Sequence, residues 1–175
     1  IELGECSLKN GIKKCLAVTP YYNKPSQKGL ELHYTELSKV GAEIILYNVP
    51  GRTGVDLLPT TIEKLIEIKT IAGIKEAVNT EERFLALSKI KDKRQDFQLY
   101  SGDDPSYVEF MKFKGDGVIS VAANVMPREI KELSNLCLAE NFIEAEKTIK
   151  NYQEIFKLLF TESSPSPCKF ILEKL

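Results

Sequence analysis

Short apolar, β-rich runs recur at Lys13 to Val18, Glu43 to Tyr47, Ile71 to Lys75, Phe97 to Ser101 and Gly117 to Val121, and a segment with helical periodicity follows each. Runs such as Ile44-Ile45-Leu46 and Val118-Ile119-Ser120-Val121 are apolar on both faces, as strands of a parallel sheet covered by helices are. The repetition therefore predicts an α/β fold of consecutive βα units with right-handed crossovers. A doubly wound sheet of five strands fits this length, whereas a TIM (β/α)8 barrel takes about 250 residues, so the barrel reading makes this chain an incomplete portion.

Helix start signals divide the chain further. Ser26 precedes a segment over 27–39, Pro59 opens 59–68, Asn79 with Glu82 reads as a capping box for 80–90, Asp104-Pro105 opens 104–113, and Pro127 opens 127–139. After the last strand only helix is expected: an amphipathic stretch over 141–160, the breaker Ser163-Ser164-Pro165-Ser166-Pro167, then a helix to the C-terminus. The expected organisation is a βα portion over 1–139 and a C-terminal helical segment over 140–175.

Bulk composition removes several function classes. A formal net charge of -1 leaves no chain-wide electrostatic footprint for nucleic acid or an anionic membrane surface, and Lys91-Asp92-Lys93-Arg94 reads as a solvated loop. No apolar run approaches membrane-spanning length. Cys6, Cys15, Cys137 and Cys168 are widely spaced, with His33 the one histidine, so reduced thiols in a cytoplasmic protein are expected and no metal site is. The start, Ile1-Glu2-Leu3-Gly4-Glu5, carries neither a signal peptide pattern nor an initiator methionine and reads as an interior point of a longer chain.

Polar and aromatic residues gather after every strand: Thr19-Pro20-Tyr21-Tyr22-Asn23, Tyr47-Asn48, Lys75-Glu76, Ser101-Gly102-Asp103-Asp104 and Ala122-Ala123-Asn124. A barrel spreads its site over all carboxyl strand ends, a doubly wound sheet concentrates it at one switch point, and the even spread favours the barrel. Lys75 closes the run Ile71-Ala72-Gly73-Ile74; enclosed by a sheet, a lysine loses hydration of its ammonium form and its free amine attacks a ketone. The alternative is a strand-end lysine that snorkels to water. Tyr47 reads either as a phenol that relays protons or as a packing residue, and Arg52 either as a carboxylate clamp or as a surface cation. For Asp104 the helix-cap reading comes first.

Five segments taken in order, VTPYYNKPSQKG, ILYNVPGRTG, GIKEA, YSGDD and GVISVAANVMPRE, resemble the dihydrodipicolinate synthase family of class I pyruvate-dependent aldolases. The resemblance runs in one register across nearly the whole chain and implies strands four to eight of the barrel plus most of its helical tail. It gives Lys75 the Schiff base with pyruvate, Tyr47 and Tyr22 the proton relay, Arg52 the carboxylate of aspartate semialdehyde, and Gly102 and Ile119 the lining of the pyruvate pocket. Tyr22 is expected to reach a neighbouring subunit's site in a homotetramer of tight dimers. No metal or dissociable cofactor is implied. Nothing here matches the threonine of the family's Gly-Thr-Thr-Gly-Glu segment.

N-acetylneuraminate lyase and keto-deoxy-sugar aldolases share the lysine and tyrosine, but Arg52, the Tyr21-Tyr22 pair and Ser101-Gly102-Asp103-Asp104 favour the branch that uses the semialdehyde. A noncatalytic barrel fragment that needs a partner, and a doubly wound nucleotide-binding domain, are the readings from other classes.

Overall fold

The computed structural model describes residues 1–175. The elements are α1 (Glu2–Lys9), β1 (Lys14–Val18), α2 (Gln27–Ser38), β2 (Glu43–Asn48), α3 (Pro50–Thr53), α4 (Pro59–Leu65), β3 (Ile71–Glu76), α5 (Glu81–Lys93), β4 (Gln98–Ser101), α6 (Tyr107–Lys112), β5 (Gly117–Val118), a 3-10 turn (Ala122–Asn124), α7 (Pro127–Leu138), α8 (Phe142–Lys150), α9 (Gln153–Leu158) and α10 (Ser166–Lys174). The sheet hydrogen-bonds in the order β1-β2-β3-β4-β5, with β1–β2 and β2–β3 parallel. Strand order equal to chain order contains no reversal, so the switch point that defines a doubly wound nucleotide fold is missing and that alternative is set aside. No helix is long and apolar enough to cross a membrane.

The chain divides into two compact units, Ile1–Tyr100 and Ser101–Leu175. In the first unit, β2 is buried over Ile44, Ile45 and Leu46, and β3 over Ile71 and Ile74. Helices supply the matching apolar faces through Leu30 and Tyr34 of α2, Ile62 and Leu65 of α4, and Phe84, Leu87 and Ile90 of α5. Ser26 caps α2 by accepting the Gly29 amide, as its position before the periodic segment predicts. The cap of α5 differs from expectation: Thr80, one residue beyond Asn79, accepts the Arg83 amide.

Arg94 overturns the solvated-loop reading of its segment. Its guanidinium donates to the carbonyls of Ile66, Ile68, Ile71 and Lys69, closing the α4–β3 connection, while Nε meets Asp96 at 3.0 Å. These carbonyls lie where α4 ends, and a planar five-donor fork satisfies several of them together.

The second unit is built on α6, α7, α8 and α9 around Tyr107, Met111, Ile130, Leu133, Ala145 and Phe156. Two sequence expectations fail here for physical reasons. Asp104 does not cap α6, the helix that follows it in the chain; its Oδ2 accepts the Val121 and Ala122 amides at the start of the 3-10 turn at 3.0 and 2.9 Å, while Asp103 Oδ2 accepts the Ser106 amide. β5 ends at Val118, three residues short of the expected strand, and the Val121 amide that a longer strand would use goes to Asp104 instead. The 141–160 stretch is two helices rather than one, broken at Asn151-Tyr152, and the break turns both Ile149 and Phe156 into the core.

Candidate active site

The first unit collects its chemistry at the carboxyl ends of β1, β2 and β3. Tyr47 and Lys75 are direct partners across the β2–β3 ladder. A bulge produces this match: Ile44 faces Ile71 but Ile45 faces Gly73, so Ala72 is the extra residue on β3. Without it the register would bring Ile74 opposite Tyr47, and because side chains alternate faces, a one-residue slip turns the lysine to the other side of the sheet. Gly73 follows the bulge because a Cβ there would stand 2.5 Å from the Gln98 carbonyl oxygen. Only glycine lets β3 approach β4 so closely.

The result is a buried lysine, 9% exposed, with Nζ 4.3 Å from the centroid of the half-buried Tyr47 ring. Burial pushes the Tyr47 phenol above its usual value while the positive charge of Arg52 pulls it back. The phenol thus keeps its proton through the neutral range, ready to give it up to a developing anion. The Tyr47 carbonyl accepts the Thr19 amide at 3.0 Å, and the Asn48 carbonyl accepts that of Ala77, which locks the end of β2 between its neighbours.

Arg52 sits on α3, the short turn that Pro50 starts and Gly54 ends in a left-handed conformation at φ 68°. A Cβ on Gly54 would also meet Lys24 Cε at 2.7 Å, so glycine lets the loop after β1 pack onto the loop after β2. Tyr47 and Arg52 line one open cleft of about 380 Å³ together with Leu16, Val18, Tyr21 and Val49. An exposed guanidinium at the rim of an apolar cleft is suited to a carboxylate, which it holds through two parallel hydrogen bonds.

Of the residues expected from sequence, the structure sets Lys75 against Tyr47 and places Tyr47 in one cleft with Arg52; Lys75 itself does not line that cleft. Tyr22, 95% exposed, stands in solvent and is not drawn to Lys75 within this chain. Gly102 and Ile119 belong to the second unit, each partly buried, with the Ile119 amide donating to the Ser101 carbonyl at 2.9 Å.

Sequence reasoning missed the layer behind the site. Asn48 and Glu76, each next in chain to a site residue, are paired across the same ladder. The Asn48 amide donates to Glu76 Oε1 at 3.0 Å and to Asp56 Oδ1 at 2.7 Å, and Asn48 Oδ1 accepts the Leu57 amide. Arg83 of α5 bridges the two carboxylates, donating to Glu76 at 3.2 Å and to Asp56 through its other nitrogen. Burial pushes the Glu76 carboxyl up to about 7, opposed by Arg83, the Val78 amide and Asn48 and reinforced by Asp56. A polar residue directly after each site residue was the available signal, since strand alternation sends it to the reverse face.

The whole chain, residues 1–175, matches the model of the dihydrodipicolinate synthetase family. The chain belongs to this family. It is 43% identical over 168 residues to the 4-hydroxy-tetrahydrodipicolinate synthase of Buchnera aphidicola subsp. Schizaphis graminum, covering 95% of this chain and 56% of that enzyme. Among solved structures, the synthase of Methylacidiphilum fumariolicum SolV superposes with a TM-score of 0.94 at 35% identity, covering 99% of this chain and 58% of that one. The chloride-inhibited family member from Acinetobacter baumannii, complexed with pyruvate, gives a TM-score of 0.92 at 38% identity over 99% and 59% of the two chains. The chain thus spans little more than half the length of the family members it matches.

Proposed function

We propose that this chain supplies the lysine-bearing part of a 4-hydroxy-tetrahydrodipicolinate synthase, a lyase that condenses pyruvate with aspartate semialdehyde on the way to diaminopimelate and lysine. The observation that carries the reading is the largely buried Lys75, its amine held 4.3 Å over the Tyr47 ring. Lys75 Nζ attacks the pyruvate ketone, water leaves as the imine forms, and loss of a methyl proton gives an enamine. The enamine carbon adds to the aldehyde of the semialdehyde, whose own amine then closes the ring and displaces Lys75. Tyr47 moves protons at the carbinolamine, and Arg52 receives the semialdehyde carboxylate.

The consecutive strand order and the relatives' greater length support a place for β1 to β5 as strands four to eight of an eight-stranded barrel, with 1–139 in the barrel and 140–175 in the helical segment. Gly102 and Ile119 line the pyruvate pocket in that completed barrel. The exposed Tyr22 reaches the neighbouring subunit's relay across a tight dimer, two of which form a tetramer. No dissociable cofactor enters the scheme, and the enzyme works in the cytoplasm.

Arg52→Ala tests the division of labour, measured in a barrel of the relatives' length. Turnover with aspartate semialdehyde should fall by about tenfold or more, as loss of a charge-assisted clamp predicts. Borohydride trapping of the pyruvate imine should stay near the wild-type rate. Equal loss of both would contradict the role given to Arg52, and preference for sialic acid or keto-deoxygluconate in a substrate panel would contradict the substrate.

A further inference from the structure

We infer that the reverse-face network of Asn48, Glu76, Asp56 and Arg83 is the positioning device of the site, holding the strand ends that carry Tyr47 and Lys75 in the alignment the bulge creates and fixing the placement of Arg52, without touching substrate. The inference rests on the functional reading above for its catalytic meaning and on geometry alone for its mechanical one. Tyr47 pairs with Lys75, and Asn48 with Glu76, at the last two rungs of the same ladder. Alternation puts the reacting pair on one face and the clamp on the other.

The clamp joins the strand ends where the backbone ladder runs out. Its Asn48-to-Glu76 bonds tie the ends of β2 and β3, at 3.0 and 3.2 Å to the two carboxylate oxygens. Glu76 Oε1 also accepts the Val78 amide at 2.7 Å, shaping the chain as it leaves β3. The Asn48-to-Asp56 bond closes the loop that carries α3, so Arg52 rides on a segment pinned at both ends by one asparagine. Arg83 Nη1 adds a bond to the Leu57 carbonyl at 2.9 Å and anchors the cluster to α5.

The charges facing Glu76 are the Arg83 guanidinium and the Asp56 carboxylate, with Asn48 and the Val78 amide as neutral donors. Glu76, 1% exposed, and Arg83, 8% exposed, lie where water cannot substitute for a lost partner. Glu76, Asn48 and Arg83 form the buried part of the clamp, where satisfied hydrogen bonds are rigid, while the Asp56 side chain is 34% exposed; misplacing a reacting group by about 1 Å costs about 10²-fold in rate.

The test is residue-resolved competitive acetylation with acetic anhydride across pH, comparing wild type with Asn48→Ala and reading Lys75 by mass spectrometry against the surface lysines Lys28 and Lys64. In natively folded protein, judged by near-UV circular dichroism, Asn48→Ala should change the Lys75 labelling rate several-fold and shift its pH profile, leaving the surface lysines unmoved. A wild-type Lys75 profile in folded Asn48→Ala overturns the inference, because a purely structural contact would lower stability and nothing more. If Asn48→Ala does not fold, Arg83→Lys retains the charge without the fork: a displaced Lys75 profile supports the inference, and a wild-type profile overturns it. Pyruvate trapping on wild type reports separately. Absence of trapping together with a displaced Lys75 profile removes the functional reading and leaves the positioning role standing.

Discussion

Tyr47→Phe should lower turnover about 10²–10⁴-fold, the usual worth of a positioned acid-base group, with the pyruvate imine forming more slowly but still trapped on long incubation. The substitution deletes one hydroxyl and keeps the ring that packs beneath Lys75 Nζ at 4.3 Å. In the proposed scheme attack on the ketone needs only the amine, whereas loss of water from the carbinolamine, which yields the imine, and protonation of later intermediates are speeded by the phenol. Burial raises the Tyr47 pKa and Arg52 lowers it, so the hydroxyl stays protonated through neutral pH and serves first as an acid. Single-turnover kinetics with pyruvate, followed by the semialdehyde, separate the two steps. A variant that turns over at the wild-type rate would remove Tyr47 from the relay.

Arg83→Met should destabilise the fold by about 3–5 kcal/mol, because it leaves a buried carboxylate without its cation. The size should depend on pH, and its sign follows from Glu76. In the unfolded chain this carboxyl titrates near its ordinary value of 4.5; in the folded chain burial carries it to about 7. Between those values the native state binds the extra proton. The stability associated with this group is therefore fully present below the ordinary carboxyl range and is lost as pH rises through about 7. Without Arg83 the carboxyl moves higher still and takes up a proton, so the penalty is smaller near pH 5 than near pH 8. Urea denaturation of wild type, Arg83→Met and Glu76→Gln across this range reads the effect. Glu76→Gln should flatten the slope, and an unchanged slope in that variant would mean that another group titrates.

Much of the site was legible before any coordinates because its signals are local. Lys75 and Tyr47 each close an apolar run, which marks both positions, but each also has an ordinary local reading, and the family resemblance is what singles out the catalytic one. The five strands and the proline-opened helices were legible from such local signals. What local sequence could not carry is register. The bulge at Ala72 decides that Lys75 faces Tyr47, and it arises from how β3 fits β2 and β4 together. Arg83 and Arg94 were equally hidden. Each looks like an ordinary surface cation, and each takes its meaning from acceptors on other elements, Asp56 and Glu76 for one and the Ile66–Ile71 carbonyls for the other. Asp104 shows the same limit in reverse. Its aspartate-proline pairing satisfies the local rule for a helix cap, yet the backbone amides of Val121 and Ala122 are the partners it keeps.

Capture of a keto acid by the sheltered Lys75 is the step on which the proposed chemistry depends. Incubation of the folded protein with pyruvate and borohydride, followed by peptide mapping, tests it most directly. A single reduced carboxyethyl adduct is expected on Lys75, absent from Lys75→Ala and absent when pyruvate is omitted. An unmodified Lys75, or label distributed over surface lysines such as Lys28 and Lys64 instead, would contradict it.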